Sequence, residues 1–274
     1  MRVKGGKYIK VDPGVELFVQ DIGKGNPIIF IPGWTFTTEV FHRQVEYFQE
    51  TNRVIVVDPR SHGRSTITVH GNEYITHGED LAKVIDYLDL QHVTFVGWSF
   101  GCLTIWEYVR QYGTQNIKSA VLVDLPPKSL SIHEDVDWVE GKLDDITGTY
   151  TTYLRDPEKQ REFVKSYITD VMIQRDLLES ELTWLVEQSL RTPYYIAANL
   201  FAAGMFSDYR KEARLLSEKI PTLTIIAEHW AEVAKAYSER LTPKSKIEVL
   251  GGHMMFWEYD KIFNQILESF LSID

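Results

Sequence analysis

The chain has 274 residues, 44% of them hydrophobic and 25% charged, and its formal net charge is −10. This balance is that of a globular protein with a large core, and the acidic charge argues against nucleic acid and anionic membrane surfaces as partners. The single cysteine, Cys102, excludes an intramolecular disulfide framework and favours a reducing, cytoplasmic location. No apolar run reaches the roughly 18 residues that a membrane helix needs, and the N-terminal stretch lacks the apolar segment of a signal peptide.

Short apolar runs rich in β-branched residues alternate with helical patterns along the chain. This alternation predicts an α/β fold with a mostly parallel central sheet flanked by helices. Residues 8–11 and 15–20, joined by Asp12-Pro13-Gly14, predict an opening hairpin. Further strands are predicted at 27–31, 53–58, 93–97, 119–124, 221–227 and 246–250. Helices are predicted at about 39–50, 77–89, 99–112, 231–241 and 257–272.

One interval of the chain breaks this alternation. Residues 128–216 show helical periodicity and no strand pattern. We therefore predict a core made of residues 1–127 and 217–274, with residues 128–216 inserted as a helical lid. The lid should lie at the carboxyl edge of the sheet, where open α/β sheets bind ligands.

The stretch Gly97-Trp98-Ser99-Phe100-Gly101 directly follows a predicted strand and directly opens a predicted helix. A serine in a tight strand–turn–helix connection projects above the sheet, and the turn needs small residues two positions away on either side. The helix N-terminus also favours the negative charge that develops in acyl transfer. Ser99 is therefore predicted to be a nucleophile, and Cys102, within the same helix, to be a buried structural thiol.

Three further turns follow predicted strands in a consistent order: Pro32-Gly33-Trp34-Thr35, the polar stretch 58–65, and Gly251-Gly252-His253. The first has the position of an oxyanion loop, so the backbone amides of Trp34 and Phe100 are predicted to form the oxyanion hole. In the second, Asp58 and Arg60 are predicted to hold their turn. His253 is predicted to be the general base. The other histidines, at positions 42, 62, 70, 77, 92, 133 and 229, show no metal-ligand spacing and are expected at the surface or in packing.

On the motifs IPGW, DPRSHGRS, GWSFG and GGHMMFWE, the chain resembles the α/β-hydrolase superfamily over nearly its whole length. The first and third motifs look most like small lidded carboxylesterases of the pimeloyl-acyl-carrier methyl-esterase type. The family order of serine, acid and histidine implies Ser99 as nucleophile and His253 as base. Pro32 stands where a histidine is common, which a backbone oxyanion donor can tolerate.

The acid of the implied triad departs from the family pattern. Members usually carry Asp a few residues after the penultimate strand, but this chain reads Ala227-Glu228-His229-Trp230 there. A carboxylate is needed to fix the histidine tautomer and stabilise the imidazolium. Some branches, including haloalkane dehalogenases, place the acid one strand earlier, which corresponds to Asp124 here. Asp124 is the first choice, Glu228 is the alternative, and a third reading is that no acid operates.

The expected function is hydrolysis of small-to-medium apolar carboxylic esters through an acyl-enzyme, with no cofactor and no metal. Trp34, Trp98, Phe100 and Met254 are predicted to line the substrate pocket, because they adjoin the catalytic positions. The partner is expected to be a small ester, with no nucleic acid and no membrane. A thioesterase, a lactonase, a carbon–carbon bond hydrolase or a cofactor-free haloperoxidase would use the same triad. The rival from another class is a non-catalytic ligand-binding receptor of the same fold.

Overall fold

The computed structural model describes residues 4–131 and 137–272. Its centre is one eight-stranded sheet with the order β1-β2-β4-β3-β5-β6-β7-β8. The strands are β1 (Gly6–Asp12), β2 (Val15–Gly23), β3 (Pro27–Ile31), β4 (Arg53–Val57), β5 (Val93–Trp98), β6 (Ile117–Val123), β7 (Thr222–Ile226) and β8 (Lys246–Val249). Only β2 runs against its neighbours β1 and β4, and all other pairs are parallel. The sheet, including its opening hairpin, confirms the predicted fold class.

Alternate residues of the central strands enter two separate apolar layers, because successive side chains of a strand point to opposite faces. In β3, Ile29 and Ile31 pack on one face, and Ile28 and Phe30 pack on the other. Every residue of β5 is buried. Burial on both faces explains why these strands read as continuous apolar runs.

Helices cover both faces of the sheet. They are α1 (His42–Phe48), α2 (Tyr74–Tyr87), α3 (Gly101–Tyr112), α4 (Leu143–Thr152), α5 (Pro157–Tyr167), α6 (Glu179–Ser189), α7 (Tyr194–Met205), α8 (Arg210–Lys219), α9 (Ala231–Leu241), α10 (Met255–Glu258) and α11 (Asp260–Leu271). The predicted helix 257–272 is interrupted, because Tyr259 leaves the helical region with φ −114° and ψ 43°. Within the described ranges, no helix is both long and apolar enough to cross a membrane.

The segment between β6 and β7 carries five helices, α4 to α8, and a π-helical turn, Ile168–Met172. Its described residues contain no strand, only an isolated bridge between Lys128 and Asp208. The boundary predicted between 216 and 217 falls inside α8. This helix is joined to α3 by an ion pair between Arg110 and Glu212. The division into core and lid stays a prediction.

Two glycines allow β5 to turn sharply into α3. A Cβ at Gly97 would lie 2.7 Å from the Ile105 side chain and 2.9 Å from the backbone nitrogen of Cys102. A Cβ at Gly101 would overlap the backbone carbonyl of Ile31. Only glycine fits at positions 97 and 101 without displacing its neighbours. This steric requirement explains the two glycines of the sequence motif.

Gly101→Ala should lower the free energy of unfolding by about 2 kcal/mol or more, because the rigid β3 backbone must move to admit the methyl group. Gly148→Ala is the matched control. Gly148 lies inside α4, and a Cβ there would meet no atom within 4 Å, so alanine should leave the stability unchanged or raise it by up to about 1 kcal/mol. Urea unfolding of both variants tests this, and equal stability of the two would contradict the steric account.

Candidate active site

Ser99 lies at the turn between β5 and α3, in the left-handed backbone region with φ 51°. This conformation is uncommon for a residue with a side chain. It is held by the Ser99 amide, which donates to the Val123 carbonyl at the end of β6, 2.8 Å away. The side chain faces a cavity, and the residue is 9% exposed. The strand and helix thus fix the serine where a ligand in the cavity can meet it.

Asp124 and His253 meet in the structure although 129 positions separate them in the chain. Nδ1 of His253 donates to Oδ2 of Asp124 over 2.7 Å, and both residues are almost fully buried. Nε2 of His253 is buried and has no hydrogen-bond partner among the described residues. The structure does not join this nitrogen to Ser99 by a hydrogen bond. Such bonds are often long in the absence of substrate.

The second carboxylate oxygen of Asp124 accepts two more hydrogen bonds. One comes from the backbone amide of Ala227 at 2.8 Å, and one from Nε1 of Trp230 at 2.9 Å. Trp230 is the residue that stands where the family usually has its acid. The indole therefore orients the carboxylate that lies one strand earlier, a role that the sequence did not reveal.

Glu228, the alternative acid, points away from the histidine. It is exposed, and its Oε2 accepts a hydrogen bond from the side-chain amide of Gln174 at 3.2 Å. The short helical turn Glu228–Trp230 directs residue 228 outward and residue 230 toward Asp124. Of the two candidates, only Asp124 contacts His253.

The loop after β3 lies against the serine. A Cβ at Gly33 would stand 3.0 Å from the Cβ of Ser99. The backbone amides of Trp34 and Phe100 donate to no acceptor among the described residues, so both remain free to bind a ligand oxygen. Thr35 next to them has φ 65°, a second strained position beside the serine.

The side chain of His62 binds the loop after β3 through a hydrogen bond to its backbone. Its Nε2 accepts from the Thr35 amide at 3.1 Å, so its Nδ1 carries the proton and donates to the Arg60 carbonyl at 2.9 Å. Burial lowers the pKa of His62 to about 4, so the ring stays neutral and keeps this arrangement at neutral pH. The signal that could have indicated this role is the position of His62 in the polar turn after β4.

The polar turn 58–65 is held as predicted. Asp58 accepts from the amides of Thr38 and Arg64 at 2.6 and 2.9 Å, and Arg60 forms ion pairs with Asp80 and Asp12.

The remaining cysteine and histidine predictions concern residues outside the proposed triad. Cys102 is fully buried, and burial raises the pKa of its thiol. His42, His70, His92 and His229 are exposed, His62 and His77 are buried, and His133 lies outside the described residues.

The segment between β6 and β7 holds the loop that carries His253, which follows β8. The amide of His253 donates to the Val171 carbonyl at 3.3 Å, and that of Met254 donates to the Met172 carbonyl at 2.9 Å. The Tyr167 ring meets the His253 ring edge-on at 5.9 Å. The inserted helices therefore fix the imidazole as well as covering the sheet edge.

A cavity of about 230 Å³ opens at the serine. It is lined by Trp34, Ser99, Phe100, Glu140, Gly141, Asp145, Ile146, Thr149, Phe163, Tyr167, Phe201 and Met205. The predicted lining residues Trp34 and Phe100 are among them, but Trp98 and Met254 are not. This corrects the prediction for both residues. Trp98 packs on Phe36 and Phe256, on the face of the sheet opposite the cavity. Met254, next to His253 in the chain, is fully buried.

Glu140 is a cavity residue that the sequence analysis missed. Its Oε1 is buried without a hydrogen-bond partner among the described residues. Burial raises the pKa of Glu140 to about 7, against the opposing attraction of His253. No motif surrounds this glutamate, so nothing in the sequence distinguished it from the other acidic residues of the segment.

No group of three or more histidine, cysteine, aspartate or glutamate side chains lies together as a metal site in residues 4–131 and 137–272.

The comparisons with known proteins agree with this fold. A family model described as alpha/beta hydrolase fold matches residues 26–260. The chain is 34% identical to non-heme chloroperoxidase CPO-A1 of Kitasatospora aureofaciens over 134 residues, 48% of this chain and 49% of that protein. It is 31% identical to the bifunctional esterase/perhydrolase DCH of Acinetobacter calcoaceticus over 142 residues, 50% of this chain and 51% of that protein. The matches thus span about half the length of these two relatives. The crystal structure of bromoperoxidase from Bacillus anthracis covers 97% of this chain and 99% of its own, with a TM-score of 0.87 and 26% identity.

Trp230→Phe should disturb the bond between Asp124 and His253, because one of the two donors that hold Oδ1 is lost while the ring is kept. The hydrogen-bonded Nδ1 proton of His253 should give a strongly downfield NMR resonance in the wild type, and this resonance should shift or broaden in the variant. Trp138→Phe is the matched control, since its Nε1 is buried without a partner among the described residues and its ring lies 6.3 Å from that of Trp230. An unchanged resonance in Trp230→Phe would show that the indole does not orient the carboxylate.

Proposed function

We propose that this chain, which belongs to the alpha/beta hydrolase family, is a serine hydrolase that cleaves small-to-medium apolar carboxylic esters through an acyl-enzyme on Ser99. The observation that carries the proposal is the 2.7 Å hydrogen bond between His253 and Asp124, with the other imidazole nitrogen free for a serine hydroxyl. A carboxylate, an imidazole and a serine in a strained turn are the elements that nucleophilic acyl transfer requires.

In the proposed mechanism, the Ser99 oxygen attacks the ester carbonyl carbon while Nε2 of His253 takes the hydroxyl proton. The carbonyl oxygen becomes negative and accepts hydrogen bonds from the amides of Trp34 and Phe100. Asp124 keeps Nδ1 protonated and stabilises the imidazolium.

The imidazolium then gives its proton to the leaving alcohol as the carbon–oxygen bond breaks. Water then attacks the acyl carbon as its proton passes to Nε2 of His253, and the imidazolium returns a proton to the Ser99 oxygen as the bond to the acyl group breaks and the carboxylic acid leaves. The charge that develops at each step is thus met by a group already in position, so no cofactor is required. The expected lack of a cofactor or metal and the cytoplasmic location stay predictions.

The cavity supports small substrates. Its volume of about 230 Å³ is below the range of roughly 300–1,000 Å³ that holds drug-sized ligands. Five of its twelve lining residues are aromatic, which favours substrates with apolar surface. A thioester, a lactone or a carbon–carbon bond next to a carbonyl would meet the same groups, so these substrates remain alternatives within the same mechanism.

Perhydrolysis is the second candidate activity, favoured by the likeness to an esterase/perhydrolase and to a chloroperoxidase. Here hydrogen peroxide replaces water: one peroxide oxygen attacks the acyl carbon as its proton passes to His253, and the imidazolium then protonates the Ser99 oxygen as the peracid leaves. The groups used are those of the esterase.

Asp124→Asn should reduce the kcat/KM for p-nitrophenyl butyrate by about a hundredfold or more, because the amide cannot hold the histidine in the same tautomer. Glu228→Gln should change it by about twofold or less, since Glu228 is exposed and bonded to Gln174. Steady-state hydrolysis by the wild type and both variants, with Ser99→Ala as the inactive reference, measures this. A loss confined to Glu228→Gln would refute Asp124 as the acid, and a wild type without turnover would favour a binding protein of the same fold.

For perhydrolysis, hydrogen peroxide added to the wild type with a neutral short-chain ester should produce peracid in competition with hydrolysis. Peracid is measured directly, and Ser99→Ala should produce none. A wild type that hydrolyses the ester while forming peracid no faster than the inactive variant would exclude this second activity.

A further inference from the structure

The charges in the wall of the cavity at Ser99 all have one sign. Glu140 and Asp145 line it, and its described lining contains no lysine, arginine or histidine. Asp145 is exposed, whereas Glu140 has its Oε1 buried. An anionic substrate would therefore meet repulsion and no basic partner in this wall.

Glu140 is half-buried, and one oxygen of its carboxyl group is buried without the hydrogen-bond partner that such an atom usually has. Its backbone amide is tied to the Ser129 carbonyl at 2.9 Å, which fixes the main chain, but its Oε1 accepts no hydrogen bond from a described residue. No described ion pair includes it. The titratable groups around it are Asp124, His253 and the phenol of Tyr167, besides Asp145 in the same wall. A carboxylate with one buried oxygen left unpaired is costly in free energy, so a ligand that supplies positive charge would be stabilised beside it.

The rest of the wall offers aromatic rings. The Trp34 ring lies 6.1 Å from Phe163 and 5.7 Å from Phe201, and Phe163 stacks on Tyr167 at 5.8 Å with an interplanar angle of 10°. Faces of aromatic rings attract cations, and a set of rings with a nearby carboxylate is the arrangement that recognises quaternary ammonium groups. The methyl groups of such a cation also suit an apolar cavity.

We propose that the cavity selects esters that carry a quaternary ammonium group, which Glu140 and the surrounding rings bind while Ser99 attacks the ester. This inference rests on the proposed esterase function and names its substrate class. The ammonium supplies the charge that Glu140 lacks, and its methyl groups replace water against Trp34, Phe163 and Phe201.

Two esters of the same shape test the selection: 4-nitrophenyl 4-(trimethylammonio)butanoate and its neutral isostere, 4-nitrophenyl 5,5-dimethylhexanoate. They release the same chromophore, and their enzymatic kcat/KM values are divided by their rates of hydroxide hydrolysis to remove intrinsic reactivity. The corrected ratio of cationic to neutral ester should be about tenfold or more for the wild type at pH 8. Glu140→Gln should bring it to about twofold or less, since the amide keeps the shape and loses the charge.

Glu162→Gln is the matched control. Glu162 lies on α5 with Phe163 and Tyr167, but it is exposed and outside the cavity wall. This variant removes the same charge from the helix that carries Phe163 and Tyr167 without changing the cavity wall, so its corrected ratio should equal that of the wild type. An equal fall in Glu162→Gln and Glu140→Gln would assign the preference to general charge attraction and overturn the proposal.

A binding measurement on Ser99→Ala separates this inference from the catalytic one. Calorimetry compares choline with 3,3-dimethylbutan-1-ol, in which a carbon replaces the nitrogen. Choline should bind about tenfold more tightly at pH 8, and its advantage should shrink as the pH falls through about 7, where Glu140 takes up a proton.

The outcomes are distinct. If the wild type hydrolyses both esters with equal corrected rates and choline has no advantage, the ammonium proposal fails and the esterase stands. If neither ester is hydrolysed, the esterase proposal fails, and the choline comparison alone decides whether the cavity binds ammonium groups. Choline binding that is unchanged in the double variant with Glu140→Gln would also overturn the proposal.

Discussion

The site is organised around the buried carboxylate of Asp124. A buried charge is tolerated only when hydrogen bonds compensate it, and here three donors do so: the His253 imidazole on one oxygen, and the Ala227 amide and Trp230 indole on the other. These donors come from the loops after β7 and β8, while Asp124 directly follows β6 and has φ 54°. The carboxylate therefore ties together three neighbouring strand ends, and the orientation of the imidazole follows from it. Trp230, at the position where the resemblance implies an acid, is one of the donors to Asp124, which is the acid in the proposed mechanism.

The helices between β6 and β7 contribute to the site in two ways. They supply most of the cavity wall, and their turn at 168–172 accepts the backbone hydrogen bonds of His253 and Met254. They also contact the loop after β3, because the Trp34 indole donates to the Ala197 carbonyl at 2.8 Å. The proposed base and the proposed oxyanion loop are thus both held by the inserted segment.

The cavity combines an apolar wall with one carboxyl group that has no described partner. Glu140 contributes nothing to the compensation of Asp124, and its own burial is unfavourable to the charged form. Proteins retain such a group at a free-energy cost, which makes it a candidate for ligand recognition rather than for stability. In the proposed enzyme, Ser99, His253 and Asp124 would catalyse acyl transfer. Glu140 and the aromatic rings around it would determine whether a cationic or a neutral ester of similar size is preferred.

The sequence by itself determined the alternation of strands and helices along the chain and the tight turn at Ser99, because these depend on local periodicity and on glycines such as Gly97 and Gly101. It also placed Asp124 and His253 at strand ends, where parallel strands bring distant residues to one edge. The tertiary structure decided what depends on side-chain direction. In the structure, Glu228 is exposed to solvent and Trp230 donates to Asp124. Trp98 packs on the face of the sheet opposite the cavity, and Glu140 lines the cavity. The direction of Trp98 accords with the alternation of side chains along β5. Those of Glu228, Trp230 and Glu140 do not follow from spacing along the chain, because each is set by packing between elements that are far apart in sequence.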